Sequence, residues 1–192
     1  MRVIAGTVRG RRLEAPAGLN TRPLTDRIRE SLFNILNPRL EGCRFLDLFA
    51  GSGSAGIEAL SRGAESAVFI EINAEARRCL SKNLQHCGFQ NHGELLRGDV
   101  FKSLPSLLQQ DQIFDIIYVD PPFSQPELFS RFMKAIDQNS DILALDGCLI
   151  IRSQRQMNMP ETTATLQRYR RSEYGESILN FYNKKQEVTK HE

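Results

Sequence analysis

The chain has 192 residues, 41% of them hydrophobic and 25% charged, with a net charge of +2. This is the composition of a soluble globular protein long enough to bury a real core, and it excludes disordered and collagen-like chains. No apolar run approaches the roughly 20 residues of a bilayer-spanning helix, and the start, MRVIAGTVRGRRL, lacks the apolar stretch of a secretory signal, so a cytoplasmic location and no membrane partner are expected.

Charge is unevenly spread. Residues 1–30 hold seven arginines against three acids, residues 31–150 ten basic against fifteen acidic side chains, and residues 151–192 eight against five. A solvated surface also accounts for such scattered charge, but the dense arginines of RGRR and TRPLTDRIRE suggest a polyanionic partner. Four scattered cysteines, Cys43, Cys79, Cys87 and Cys148, form no C-x-x-C pair, and with three histidines they offer no metal-ligand spacing. Reduced thiols and no metal are expected.

Residues 2–14 read as two short strands broken at GTVRG, a hairpin carrying Arg9, Arg11 and Arg12. After a loop rich in Pro, Gly and Asn, TDRIRESLFNIL places Ile28, Leu32, Ile35 and Leu36 on one helical face, with Thr25 as N-cap and Pro38 as the stop. Strands and helices then alternate. CRFLDLF, SAVFIEI, GELLRGD, FDIIYVD and GCLIIRS read as strands, SAGIEALSR, AEARRCLSKNLQHC, residues 101–109 and QPELFSRFMKAID as helices, and two more strands lie near 164–171 and 177–183. Repeated βα units predict an α/β, Rossmann-like, mostly parallel sheet with helices on both faces and ligands at the carboxyl ends of its strands.

FLDLFAGSGSAG contains a G-x-G-x-x-G array, Gly51, Gly53 and Gly56, between a strand and a helix. The array alone fits a dinucleotide, but Asp47 argues against one, because a carboxylate near the pyrophosphate position repels it and the loop has no Arg or Lys to compensate. A cationic ligand without phosphate fits instead, and S-adenosylmethionine (SAM) is such a molecule. Asp47 is the candidate for its ammonium, with Gly51 and Gly53 admitting it and Phe49 in the same turn as a further contact. Glu71 ends the next strand, where an acid holds ribose hydroxyls. Asp99 ends the third, placed either to accept from the adenine amine or to cap the following helix.

The fourth strand ends in Asp120-Pro121-Pro122-Phe123. Two prolines force a stiff, extended exit from the sheet. A carboxylate and a proline carbonyl held there can accept both N–H bonds of an exocyclic amine and direct its lone pair outward, while Phe123 offers a face for an extruded base. These residue types call for methyl transfer to a planar amine. A nucleobase, DNA adenine N6 and a protein glutamine amide share the demand, and an RNA-binding or assembly factor using SAM only as a structural ligand or an NAD-dependent oxidoreductase are rivals from other classes.

On MRVIAGTVRGRRL, TRPLTDRIRESLFNIL, FLDLFAGSGSAGIEALSRGA, FIEIN and VDPPF, taken in order, the chain resembles RsmD-type 16S rRNA (guanine-N2)-methyltransferases, a class I SAM-dependent family. Leu24 and Asn73 stand where relatives often have Thr and Asp. The resemblance implies a seven-stranded sheet whose last strand is antiparallel and conversion of SAM to S-adenosylhomocysteine without a metal. It also implies one methyl on guanine N2 of 16S rRNA, within an assembling small subunit, and an N-terminal hairpin that aids RNA binding. The expected organisation is an RNA-binding extension over 1–22 and a methyltransferase domain over 23–192, acting as a monomer. Arg22 and Thr25 are expected at the cofactor mouth and Arg29 along the RNA path.

Overall fold

A computed structural model describes residues 1–16, 25–123 and 125–186. The helix α1 spans Asp26–Leu36 and is followed by β1 (Arg44–Leu48), α2 (Ser54–Ser61), β2 (Ser66–Glu71), α3 (Ala74–Cys87), β3 (Gly93–Arg97) and α4 (Val100–Gln109). Then come β4 (Phe114–Val119), α5 (Glu127–Gln138), β5 (Leu143–Gln154), β6 (Leu166–Tyr174) and β7 (Ser177–Lys184). One seven-stranded sheet has the order β3-β2-β1-β4-β5-β7-β6. Strands β1 to β5 pair in parallel, and β7 is antiparallel to both neighbours, so the last strand alone runs against the rest. The class read from the alternation of elements is the class observed.

Alternation along the central strands divides the core. Phe45, Ile116, Tyr118 and Ile150 face a cluster completed by Leu32 and Phe33 of α1, Ile57 of α2 and Leu80 of α3. Leu46, Leu48, Ile117 and Val119 face the opposite cluster, closed by Leu104 of α4 and Phe132 of α5. Apolar residues on both faces mark strands covered by helices on each side. Strand order reverses between β1 and β4, which opens a crevice at their carboxyl ends. Among the described residues no helix is long and apolar enough to cross a membrane.

The N-terminal segment doubles back, but not as two strands. A single antiparallel bridge joins Arg2 and Arg12, flanked by the bond from Leu13 N–H to the Met1 carbonyl at 2.9 Å. The physical reason is that its backbone finds partners outside itself. The buried Glu58 carboxylate on α2 accepts from Ile4 N–H at 2.7 Å and Ala5 N–H at 3.0 Å, and also from Arg62 Nε at 2.7 Å. Val3 and Leu13 then pack into the first cluster.

Removing that carboxylate leaves two amides and a nearly buried guanidinium unpaired. Glu58→Ala should therefore cost about 2–4 kcal/mol in urea unfolding, and amide exchange at Ile4 and Ala5 should accelerate.

Candidate active site

Register decides which side chains meet. Asp47 on β1 is level with Phe69 on β2 and Tyr118 on β4, and Val119 is level with Ile151 of β5, which places Asp120 opposite Arg152. Side chains two residues apart on a strand share a face. Asp47, Glu71, Tyr118, Asp120 and Arg152 consequently share the α1–α3 side of the sheet at its carboxyl edge.

Asp47 is buried, and its Oδ2 accepts from Gly56 N–H at 3.0 Å, capping the first turn of α2 from the neighbouring strand. Burial pushes its carboxyl well above the usual range, opposed by the Gly56 bond and reinforced by the charges of Asp120 and Glu71. Glu71 accepts from Gly51 N–H at 2.8 Å and from Asn73 N–H at 2.7 Å, which ties the glycine turn to the end of β2. Asn73, in turn, caps α3. Asp99 accepts from Phe101 N–H at 2.8 Å as the N-cap of α4, so of the two roles open to it the capping role is the one observed.

The turn between β1 and α2 is backbone that favours glycine. Phe49 has φ +62°, which is unusual for a bulky side chain and is stored strain of the kind that marks ligand sites. Gly51 has φ +57°, and a Cβ there would meet nothing within 4 Å, so open space lies beside it. Gly53 differs. Its Cβ would fall 1.9 Å from Leu80 Cδ1, so its missing side chain serves the packing of α2 against α3 rather than the admission of a ligand.

At the end of β4, Pro121 is buried and Phe123 half-buried. The Pro122 carbonyl accepts from Gln125 N–H at 3.3 Å, while the Pro121 carbonyl accepts no hydrogen bond among the described residues. Asp120 keeps 21% of its side-chain exposure and receives Arg152 Nη1 at 3.2 Å on Oδ1 and 3.0 Å on Oδ2, with Tyr118 Oη at 3.3 Å from Oδ2. Arg152 also donates from Nε and Nη2 to Ser177 Oγ at 3.3 and 3.2 Å, and its guanidinium lies 4.8 Å from the centre of the Phe123 ring. Desolvation raises the Asp120 carboxyl, while Arg152 and the Tyr118 hydroxyl lower it. The site thus offers the partly exposed Asp120 carboxylate and an aromatic face, with the Pro121 carbonyl unpaired among the described residues, beside a group of acids suited to a cation.

Sequence reasoning missed Arg152, Tyr118 and Ser177. A signal for the first existed: a strand apolar on both faces, CLIIRSQ, contains one arginine, and a buried charge demands a partner. Arg29 requires a correction. It was expected along the RNA path, yet it is fully buried, with Nη2 donating to the Arg2 carbonyl and to Asp26 Oδ1, the latter at 3.0 Å. Its Nε and Nη1 have no partner among the described residues. The inward stripe of α1 is Ile28, Arg29, Leu32, Phe33 and Leu36, and a guanidinium on that stripe meets no phosphate. Thr25 Oγ accepts from Ile28 N–H at 3.4 Å as the N-cap of α1. Arg9, Arg11 and Arg12 are exposed, and Arg22 lies outside the described residues.

Comparison with known proteins extends this picture. The family model described as conserved hypothetical protein 95 matches residues 1–183. YlbH of Bacillus subtilis is 37% identical over 96% of this chain and all of its own. An Escherichia coli protein named ribosomal RNA small subunit methyltransferase D is 33% identical over 96% of this chain and 90% of its own. The solved structure of yhhF from Escherichia coli superposes with a TM-score of 0.82 at 32% identity, covering 96% of this chain and 98% of that one.

The buried Asp47 carries a stability consequence. An acid whose folded value lies above its unfolded value of about 3.9 binds more protons when folded, so it detracts from stability as pH rises through that window. Asp47→Asn, which can keep the Gly56 bond, should unfold at higher urea than the parent at pH 8, with the difference shrinking toward pH 4.

Proposed function

The chain belongs to the RsmD family, the one described as conserved hypothetical protein 95, and from that premise we propose that it transfers a methyl group from SAM to the exocyclic N2 of a guanine in 16S ribosomal RNA. The observation that carries the reading is the pair of fixed acceptors at the end of β4, the Asp120 carboxylate and the Pro121 carbonyl, beside the Phe123 ring and next to the acids of β1 and β2. The relative named as a small-subunit methyltransferase aligns over nearly the whole of both chains.

The residues present fit SAM. A buried carboxylate at Asp47, disfavoured as an ion by its surroundings, is relieved by an ammonium or sulfonium nearby. Open space flanks Gly51, and Glu71 at the end of β2 has lone pairs remaining for ribose hydroxyls. Phe49 lies at the bend between them, and Asp99 has one oxygen beyond its capping bond for the adenine amine. When bound, SAM supplies an electrophilic methyl carried on a sulfonium.

The chain's own residues do the rest. Asp120 and the Pro121 carbonyl accept the two N–H bonds of the guanine amine, which turns the nitrogen lone pair away from the ring and toward the donor. The proline turn holds both acceptors in place before the substrate arrives, so no reorganisation is needed at the moment of attack. Phe123 stacks on the extruded base. Residues 1–22, with exposed Arg9, Arg11 and Arg12, form the RNA-binding extension, and 23–192 the methyltransferase domain. The protein works as a cytoplasmic monomer on the rRNA of an assembling small subunit.

Two outcomes test this reading. Labelled SAM supplied separately with 16S rRNA, small subunits, plasmid DNA and release factors should label only the RNA-containing samples, and nucleoside mass spectrometry should find N2-methylguanosine; label in adenine or in protein would overturn it. Asp120→Ala should bind SAM as the parent does in calorimetry yet lose methyl transfer by about 100-fold or more, whereas Asp47→Asn should lose SAM affinity itself.

A further inference from the structure

Asp120 has a partner that no sequence motif supplies. A carboxylate offers about four lone-pair positions. Oδ2 is occupied by the Tyr118 hydroxyl at 3.3 Å and by Arg152 Nη1 at 3.0 Å, while among the described residues Oδ1 receives Arg152 Nη1 alone, at 3.2 Å. Among the described residues one position on Oδ1 is left. Arg152 is itself held from behind by two bonds to Ser177 Oγ on the antiparallel strand β7, and its Cζ lies over the Phe123 ring, 4.8 Å from the centroid. Its side chain is 4% exposed, against 21% for Asp120, so solvent and substrate reach the carboxylate and not the guanidinium.

We propose that Arg152 is the positioning residue of this site, holding Asp120 in one rotamer with Oδ1 as the single oxygen left to receive the substrate amine and fixing the Phe123 ring against which the base stacks. The proposal rests on the reading of this edge as the amine-binding site. It names a residue outside the Asp-Pro-Pro-Phe turn on which that turn depends. Arginine suits the place because its planar fork can serve Asp120 and Ser177 at once and lie flat on a ring, which a lysine ammonium cannot do.

Charge points the same way. Asp120 faces Arg152 from β5, Tyr118 from its own strand and Asp47 from β1, with Glu71 of β2 beyond Asp47. Desolvation favours the neutral carboxyl, which has fewer acceptor positions than the carboxylate, and Arg152 is the positive group opposing it. Without it Asp120 stays protonated to higher pH.

The test uses the full chain with Arg152→Met and Arg152→Lys. In protein labelled at aspartate carboxyl carbon, with the Asp120 signal assigned by its loss in Asp120→Asn, the Asp120 titration should move to higher pH in Arg152→Met and lie between parent and Met variant in Arg152→Lys. In single-turnover methyl transfer, Arg152→Met should fall by about 100-fold near neutrality with SAM affinity unchanged. The acid limb of its pH profile should shift upward, with partial recovery in alkali and in Arg152→Lys. An unmoved Asp120 titration, or a loss of rate equal at every pH and not eased by lysine, would overturn the proposal. Should Arg152→Met not fold, Arg152→Lys carries both measurements. If the parent labels no RNA, the functional reading fails, while the carboxyl titration still decides whether Arg152 governs Asp120.

Discussion

Parallel strands all end on the same edge, and here that edge gathers more negative charge than the protein interior tolerates comfortably. Asp47, Glu71 and Asp120 come from three adjacent strands, β1, β2 and β4, and the register of the sheet brings them to one face. Arg152 on the next strand offsets only the last of them directly. Buried charges are costly unless paired, so the edge as it stands stores unfavourable free energy that a cation can release. The carboxylate of Asp47 disfavours a pyrophosphate at this edge and favours a positively charged ligand.

The acids are held in place by bonds to the backbone that do not exhaust them. Asp47 caps α2 through Gly56, Glu71 fastens the turn at Gly51, and Asp99 caps α4. Each bond fixes a rotamer and leaves other lone pairs unused. A structural role and a ligand role are compatible here because a carboxylate has more acceptor positions than a helix terminus uses. The same economy holds at Asp120, where, among the described residues, a hydroxyl and a guanidinium fill one oxygen and half of the other.

Much of the fold was legible in the sequence because local signals agreed. Asn73 and Gly88 frame α3, and the βα alternation required a parallel sheet. At the site, the glycine turn, Asp47, Glu71 and the Asp-Pro-Pro-Phe stretch all lie at strand ends, where single-strand reasoning places them. What could not be read depended on partners distant in sequence. Arg152 meets Asp120 only through the β4–β5 register, and Ser177 joins them only because β7 returns beside β5. Arg29 was misplaced because a stripe drawn through Ile28, Leu32, Ile35 and Leu36 puts it on the margin, whereas the helix turns so that Phe33 and Arg29 face inward. The N-terminal hairpin was half right: its return is local, but Glu58 some fifty residues away takes the amides that a second strand would have paired.

The orientation of Arg152 explains why the turn can be stiff without being closed. Prolines fix the backbone of residues 121 and 122, but they cannot fix a side chain that leaves the strand before them. A free aspartate at a strand end samples several rotamers, and burial would favour its neutral form. Tethering from β5 and β7 restrains the rotamer and opposes the neutral form, and it does so from the side facing away from solvent. The rigid backbone of one strand and the anchored guanidinium of the next therefore hold the Asp120 carboxylate together, which neither strand does alone.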